Sequence, residues 1–255
     1  MKSKILIFSA TYNESKNITL LLEAIEKLNL NVDVLIIDDN SPDKTWQIVN
    51  DYSKNKKNIY LIIRDKKKGL DTAHKLAFEY SVNNNYDFLI TIDADLTHDP
   101  NKIPEFIIEL EKNPFVLGSR FAKGGSFDSK GWRRVLSIFG NKFIKNMFNI
   151  DCHEFTTAFR GFNLKKLKDF DLRDVKSRGY SFFMETIYLI NKKKIPIKEI
   201  PIYAKRLLRT ASPWLRTGSY FVRIELCHTH ICCRCISMYI QIALVNQGSL
   251  PGLLD

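Results

Sequence analysis

No hydrophobic run in the chain is long enough, and free enough of charge, to cross a membrane. The most apolar part of the C-terminal region is interrupted by Arg223, Glu225 and Arg234, whereas a spanning helix needs about 20 predominantly apolar residues. The apolar run that begins at Ile5 is too short for a signal peptide. We therefore expect no spanning segment, although contact with a membrane surface stays open.

Cysteine is scarce and unevenly placed. Cys152 stands alone, and the other four of the 5 cysteines lie between Cys227 and Cys235. Disulfide frameworks of secreted proteins spread their cysteines along the chain, so we expect the reducing cytosol. The crowded group also contains histidine, but its possible ligands are too close together for the usual zinc-site spacing. Coincidence is the favoured interpretation of this group.

The glycine-rich loops that cradle phosphates are absent. No Gly-x-Gly-x-x-Gly follows the first predicted strand, and no Walker-type loop occurs anywhere in the chain. Such loops bring backbone N–H groups to the phosphates in dinucleotide-binding and P-loop proteins. Their absence removes the main support for both classes, so a phosphate ligand would need another device.

Positive charge, by contrast, is in surplus. The 39 Lys and Arg residues outnumber 28 Asp and Glu residues, which gives a formal net charge of +11. A surplus of this size favours anionic partners, namely nucleic acid, acidic lipid head groups or phosphorylated small molecules. We expect no nucleic-acid partner, because no base-reading or aromatic-stacking motif is present. The hydrophobic share of 45% is enough for a sizeable core.

Short apolar runs alternate with helical patterns through the first half of the chain. The runs predict strands at 4–10, 32–37, 59–63, 88–92 and 115–117, with helices between them. This alternation predicts an α/β fold with a mostly parallel sheet and helices on both faces. Ligands of such sheets bind beyond the carboxyl ends of the strands.

Carboxylates are frequent at those predicted strand ends, which is unusual in so basic a protein. Asp93 and Asp95 are the central pair, because alternate residues at a strand end can turn both carboxylates toward one cation. Mg²⁺ and Mn²⁺ favour such oxygen ligands together with substrate phosphates. Alone, Asp-x-Asp is more often a solvated turn. Its position after a buried strand favours a metal site here.

Several motifs together resemble glycosyltransferase family 2, and most of all its dolichol- or polyprenyl-phosphate mannosyltransferases. The resemblance covers about residues 4–206 and implies a GT-A type (Rossmann-like) fold. The motifs that carry it are Thr11–Glu14, Asp38–Thr45, Lys68–Leu70, Asp93–Pro100, Gly118–Phe121, Trp132–Arg134, Thr156–Arg160, Gly179–Phe182 and Glu199–Ile202.

The resemblance also implies an activity and the residues that carry it. The activity is inverting, metal-dependent transfer of mannose from GDP-mannose to dolichol or polyprenyl phosphate, with Mg²⁺ or Mn²⁺ as the cofactor. The implied donor-binding residues are Tyr12, Glu14, Ile37, Asp39, Asp93, Ala94, Asp95 and Arg206. Arg120, Arg133 and Ser137 would bind the acceptor phosphate; Asp93, Asp95 and Thr97 would hold the metal. Asp93, Asp95 and Arg120 would thus be the catalytic residues.

The chemistry agrees with this set of residues. A metal held by two carboxylates stabilises the charge that develops on a leaving nucleoside diphosphate. A phosphate acceptor is already an anion and needs orienting arginines, whereas a hydroxyl acceptor needs a carboxylate base. Glu185 is the nearest base-like candidate, and a purely structural carboxylate is at least as good an interpretation of it.

A basic amphipathic helix is predicted between Trp132 and Phe148. Its apolar stripe includes Phe139 and Phe143, with lysines and arginines nearby. Such a helix can lie in a bilayer interface or pack on the core, and both alternatives stay open. With the resemblance, it implies a cytosolic protein peripheral to a membrane, at the cytosolic face of the endoplasmic reticulum in a eukaryote. Small membrane-anchoring subunits are possible partners.

The family pattern is lost near the C-terminus. The arginine at Arg206 is kept, but Ser212 stands where the family has a phosphate-binding lysine. We therefore predict a glycosyltransferase domain at 1–206 and a divergent tail at 207–255. Two alternatives follow: a UDP-sugar enzyme that adds glucose or an amino sugar to polyprenyl phosphate, or an inactive nucleotide-sugar-binding homologue. His74 and His98 are predicted to be surface or capping groups.

Overall fold

The structure is a computed structural model in which residues 3–127, 132–167 and 169–204 are described. The strands are β1 Ile5–Thr11, β2 Asp33–Asp38, β3 Ile59–Ile63, β4 Phe88–Thr91, β5 Phe115–Ser119, β6 Ser126–Phe127, β7 Arg160–Asn163, β8 Ile197–Pro201 and β9 Tyr203–Ala204. The helices are α1 Ile18–Lys27, α2 Thr45–Ser53, α3 Leu70–Asn83, α4 Ile103–Lys112, α5 Trp132–Phe148 and α6 Tyr180–Lys192. The predicted strands lie within two residues of β1 to β5. The predicted tail at 207–255 lies outside the described residues.

A seven-stranded sheet in the order β3-β2-β1-β4-β7-β5-β8 forms the centre of the fold. Its neighbours are parallel except around β7, which runs antiparallel to both β4 and β5. The predicted α/β fold with a mostly parallel sheet is therefore confirmed. Because Arg160 opens β7 opposite Thr91 and Leu117, the segment before β7 lies at the carboxyl ends of β4 and β5.

Helices cover both faces of the sheet, as predicted. Alternate residues of β1 point to opposite faces, so Leu6 and Phe8 join one apolar cluster while Ile5 and Ile7 join the other. Residues of α3 and α6 complete the first cluster, and residues of α1, α2 and α4 complete the second. Burial on both faces explains why these strands are continuous apolar runs in the sequence.

His74 is buried against the first cluster, so its prediction as a surface or capping group was wrong. It is 3% exposed and packs edge-on against Phe8 and Phe183, with ring centres 5.1 Å apart in each pair. Burial, with a smaller contribution from the nearby Arg160 charge, lowers the pKa of His74 to about 3. The imidazole is therefore neutral in the folded protein at any ordinary pH.

Replacing His74 with leucine is expected to reduce the loss of stability in acid. Below its ordinary pKa of 6.5 the histidine takes up a proton in the unfolded chain but stays neutral in the folded one down to a pKa of about 3. Acid therefore favours unfolding across that interval, and stability returns as the pH rises. Melting temperatures of both proteins between pH 7 and pH 4 test this. The melting temperature of the variant, relative to that of the native protein, should rise as the pH falls. Parallel curves would contradict the assignment.

The predicted amphipathic helix is α5, and two of its apolar side chains face outward. Phe139 is 67% exposed and Phe143 is 50% exposed, whereas Asn141 and Ile144 are buried. At these two positions the apolar stripe therefore faces solvent and not the core. Within the described residues, no helix has both the length and the apolar character to cross a membrane.

Candidate active site

Asp93 and Asp95 follow β4 at the carboxyl edge of the sheet. The half-buried aspartates flank Ala94, which is 3% exposed and packs in the second apolar cluster. The chain then turns through Leu96, whose φ is 59°. One oxygen of Asp95 accepts hydrogen bonds from the Thr97 N–H at 3.0 Å and the Thr97 hydroxyl at 2.7 Å. The turn therefore holds the hydroxyl of Thr97 beside the Asp95 carboxylate.

Negative charge is concentrated at this strand end. The pKa of Asp93 is raised well above its ordinary value, first by burial and then by the charges of Asp95 and Glu14. The Arg120 guanidinium acts in the opposite direction. Carboxylates from the ends of the adjacent strands β1 and β4 thus repel the Asp93 charge, and a cation at Asp93 and Asp95 would relieve that repulsion.

The residues present fit a hard divalent cation. Among the described residues, no further histidine, cysteine or carboxylate lies close enough to complete a metal cage made of protein groups alone. Mg²⁺ commonly takes one or two carboxylates and completes its shell with waters and substrate phosphates. Asp93, Asp95 and the Thr97 hydroxyl offer such an incomplete, oxygen-only set.

His98 is buried behind this set, so its prediction as a surface or capping group was also wrong. Its Nδ1 lies 3.6 Å from an Asp93 oxygen, and its Nε2 lies 3.3 Å from the Thr157 hydroxyl. The ring packs against Phe159. Burial is the largest of the effects that lower the pKa of His98, to about 4. A neutral ring thus backs the Asp93 carboxylate.

Asp39 and Arg64 form a buried ion pair at the ends of β2 and β3. Asp39 also accepts a hydrogen bond from the Lys68 N–H at 3.2 Å. The Arg64 guanidinium further donates to the Thr72 hydroxyl at 2.6 Å and to the Gly69 carbonyl at 3.1 Å. The pair ties the end of β2 to the loop that leads into α3. Arg64 was not among the site residues predicted from the sequence.

The other proposed nucleotide-binding residues differ in how they are placed. Tyr12 is partly exposed, and the Lys67 ammonium lies 4.4 Å from the centre of its ring. Glu14 is 5% exposed and accepts a hydrogen bond from Asn17 at 2.8 Å. Ile37 is 1% exposed in the apolar core, so a nucleotide contact from it has to come from its backbone.

Arg120 follows β5 and is held by a carboxylate that sequence reasoning missed. Glu154 is fully buried and accepts two hydrogen bonds from the Arg120 guanidinium, at 2.7 and 2.8 Å. Burial alone would raise the pKa of Glu154, but the Arg120 charge and hydrogen bonds from Thr156 outweigh it and hold the pKa below its ordinary value. The only available signal was its place just before the Thr156–Arg160 motif.

Two further carboxylates have structural partners. Both oxygens of Glu185 accept backbone hydrogen bonds, from Lys176 at 3.1 Å and Ser177 at 2.7 Å, which favours the structural interpretation over a catalytic base. Asp71, near the start of α3, is 5% exposed and accepts a hydrogen bond from the Gly179 N–H at 3.3 Å. Its carboxylate is thus engaged by the loop that leads into α6.

Three predicted ligands are not placed by the structure. Arg133 and Ser137 lie on α5, but their side chains are outside the described part of the chain. Arg206 lies beyond the last described residue. Their roles in binding phosphate therefore stay predictions.

Comparisons with known proteins show the family and the fold of the chain. The chain is 27% identical over 200 residues to the polyprenol monophosphomannose synthase of Mycolicibacterium smegmatis, with 77% of this chain and 76% of the relative covered. Glucosyl-3-phosphoglycerate synthase from Mycobacterium tuberculosis, solved with Mn²⁺, UDP and phosphoglyceric acid, has a TM-score of 0.61 at 14% identity, over 79% of this chain and 69% of that one.

A second solved structure shares the fold. The mannosyltransferase PcManGT from Pyrobaculum calidifontis, solved with GDP-Man and Mn²⁺, has a TM-score of 0.58 at 15% identity. The match covers 84% of this chain but only 60% of PcManGT. The profile of Glycosyl transferase family 2 matches residues 7–170, and the chain therefore belongs to that family and is a glycosyltransferase.

Proposed function

We propose that this glycosyltransferase transfers mannose from GDP-mannose to a polyprenyl or dolichyl phosphate and depends on Mg²⁺ or Mn²⁺. The observation that carries the proposal is the pairing of two subsites at one sheet edge. A carboxylate pair suited to a metal–diphosphate follows β4, and an arginine held in a fixed orientation follows β5. The polyprenol monophosphomannose synthase relative supports mannose and polyprenyl phosphate as the substrates.

The mechanism assigns different tasks to the two sides. On the donor side, Asp93 and Asp95 would hold the metal, with Thr97 beside them. When bound, the metal would neutralise charge on the departing diphosphate. On the acceptor side, Arg120 would orient a phosphate oxygen toward the anomeric carbon, aided by Arg133 and Ser137. Because the acceptor is already an anion, no side chain has to remove a proton, and a single displacement inverts the anomeric carbon.

Two nucleotides are candidates for the donor. PcManGT was solved with GDP-Man, whereas glucosyl-3-phosphoglycerate synthase was solved with UDP. Tyr12, Glu14, Asp39 and the backbone at Ile37 are the proposed contacts to the base and ribose. A UDP-sugar donor is the second candidate for the same fold. A third is nucleotide-sugar binding without transfer, because the phosphate-binding lysine of the family is missing after Arg206.

Transfer assays with radiolabelled sugars test the three candidates directly. The full chain is incubated with Mn²⁺, a short polyprenyl phosphate and labelled GDP-mannose, UDP-glucose or UDP-N-acetylglucosamine. We expect labelled lipid from GDP-mannose alone. Label from a UDP-sugar alone would replace the donor assignment. Thermal stabilisation by a nucleotide without any labelled lipid would establish a binding protein instead.

We also propose that α5 places the protein at a membrane surface, on the cytosolic side. Phe139 and Phe143 are one helical turn apart, largely exposed, and flank the exposed Lys142. Aromatic rings beside basic residues suit the boundary between anionic head groups and acyl chains. A polyprenyl phosphate acceptor resides in such a boundary, so this helix would bring the active site to its substrate.

Replacing Phe139 and Phe143 with serine is expected to weaken binding to anionic phospholipid vesicles by roughly tenfold or more, because burying one phenylalanine contributes about 1.5–3 kcal/mol. Co-sedimentation with the vesicles measures the change. Ile108 on α4 is 54% exposed and provides the matched control, since Ile108→Ser should leave vesicle binding unchanged. Equal effects of the Phe139/Phe143 double variant and of Ile108→Ser would contradict a specific role of α5.

A further inference from the structure

The segment from Glu154 to Arg160 contacts both sides of the active site. Near its start, Glu154 and Thr156 bind the Arg120 guanidinium on the acceptor side. Near its end, the Thr157 hydroxyl contacts His98, which lies behind Asp93 on the donor side. One short stretch of chain, here called the bridging segment, therefore sets the distance between the two subsites.

The bridging segment is held in place by a buried arginine. Arg160 is 1% exposed, and its guanidinium donates to the Thr157 carbonyl at 2.8 Å and to the Phe155 carbonyl at 3.1 Å. The guanidinium also packs against the Phe183 ring, 4.7 Å from its centre. A buried charge is costly, and both of these hydrogen bonds go to the bridging segment. These hydrogen bonds from Arg160 thus fix the backbone that follows Glu154.

Glu154 is the point at which this rigidity reaches Arg120. It is fully buried. One carboxylate oxygen receives Arg120 Nε, while the other receives Arg120 Nη2 together with the Thr156 N–H and hydroxyl at 3.1 and 3.0 Å. Two parallel hydrogen bonds to a carboxylate fix the plane of a guanidinium, which a single contact does not. Thr156 binds both partners and completes the arrangement.

We propose that Glu154 is a positioning residue for the acceptor: it fixes the Arg120 guanidinium in the orientation that receives a phosphate monoester and, through the bridging segment, holds it in register with Asp93. The proposal rests on the proposed function for the identity of the acceptor. It does not rest on it for the effect of Glu154 on Arg120, which can be measured without substrate.

Charge and orientation predict opposite results when Glu154 is replaced with glutamine. The glutamine has nearly the same size but no negative charge, so Arg120 would become less compensated. If Glu154 only moderated charge, an anionic acceptor would bind the variant more tightly. If Glu154 positions Arg120, the acceptor binds more weakly, because the amide N–H₂ cannot accept from the guanidinium.

Steady-state kinetics with geranyl phosphate as the acceptor distinguish the two. We expect Glu154→Gln to raise the KM for geranyl phosphate roughly tenfold to hundredfold while the KM for the nucleotide sugar is unchanged. Glu154→Asp, which keeps the charge, should recover part of the loss. Glu26, which is also held by hydrogen bonds from Tyr52 and Lys56, gives the matched control in Glu26→Gln. A lower KM for geranyl phosphate, or equal changes in both KM values, would overturn the proposal.

A spectroscopic readout keeps the proposal testable without turnover. Nitrogen-15 spectra of the arginine side chains show the Arg120 Nε–H signal, which is assigned by its loss in Arg120→Lys. We expect this hydrogen to exchange slowly with water in the native protein and fast in Glu154→Gln. Thr156→Val is a milder second variant in case Glu154→Gln does not fold, and it should have a smaller effect in the same direction. An Arg120 signal unaffected by both variants refutes positioning. A different result would refute the proposed function instead: slow exchange of the Arg120 Nε–H in a native protein that transfers no sugar to any polyprenyl phosphate.

Discussion

Replacing Asp95 with asparagine is expected to lower sugar transfer by about a thousandfold and to abolish metal-dependent nucleotide binding. Asparagine keeps an oxygen that can accept the two hydrogen bonds from Thr97, so the turn after β4 should survive. What disappears is one of the two anionic metal ligands. Thermal shifts with GDP and with UDP, each with and without Mn²⁺, together with transfer assays, measure both effects.

Asp99 provides the control for Asp95. It is exposed, lies four residues further along the same loop, and accepts a hydrogen bond from the Asn101 N–H at 3.0 Å. Since asparagine can also accept that bond, Asp99→Asn should keep metal-dependent stabilisation and transfer. A Mn²⁺-dependent shift of equal size in Asp95→Asn and the native protein would contradict the metal site and remove the basis for the proposed transfer.

Replacing Gly125 with alanine is the second change expected to have a large effect. An added Cβ would lie 2.4 Å from the carbonyl oxygen of Ser119 and 2.9 Å from the carbonyl carbon and oxygen of Arg120. These are backbone atoms at the end of β5, so the turn itself has to move. We expect a loss of about 1–3 kcal/mol in the free energy of unfolding, and a rise in acceptor KM because the turn carries Arg120.

Gly179 separates steric overlap from backbone strain. Its φ is +58° and its ψ is −136°, a backbone conformation that L side chains rarely adopt, but nothing lies within 4 Å of an added Cβ, so Gly179→Ala should cost about 1–3 kcal/mol through backbone strain alone. Denaturant unfolding measures stability in both variants, and geranyl phosphate kinetics measure the site. An unchanged acceptor KM in Gly125→Ala would mean that the turn accommodates the methyl group without moving Arg120.

The sequence was most informative where the physics is local. Strands buried on both faces are continuous apolar runs, so β1 to β4 could be located within one residue, and 59–63 coincides with β3. The aspartate pair was found for the same reason, since it directly follows such a run. The rule that functional residues follow strands gave Asp39, Asp93 and Arg120 as candidates, and the structure places each of them just after a strand.

Glu154 and Thr157, which were not predicted from the sequence, precede a strand. Because β7 runs antiparallel to its neighbours, the residues at the active-site edge come before this strand and not after it. Glu154 and Thr157 were therefore not found by inspecting the ends of strands. His74 and His98 were misjudged because their burial depends on rings contributed by distant segments, such as Phe183 and Phe159. Neither effect has a local signature in the sequence.

The junction of β4 and β7 divides the catalytic apparatus into two halves. Within the described residues, the proposed nucleotide contacts come from β1, β2 and β4 or from just after them, and the proposed acceptor contacts come from the end of β5, α5 and the bridging segment. Four registered residue pairs, from Phe88–Asn163 to Thr91–Arg160, join the halves at this junction. Each half would carry its own ligand contacts, so the pairing of β4 with β7 sets the distance between the two proposed ligands. Weakening the pairing of β4 with β7 would therefore slow sugar transfer between the two bound substrates before it lowered the affinity for either one.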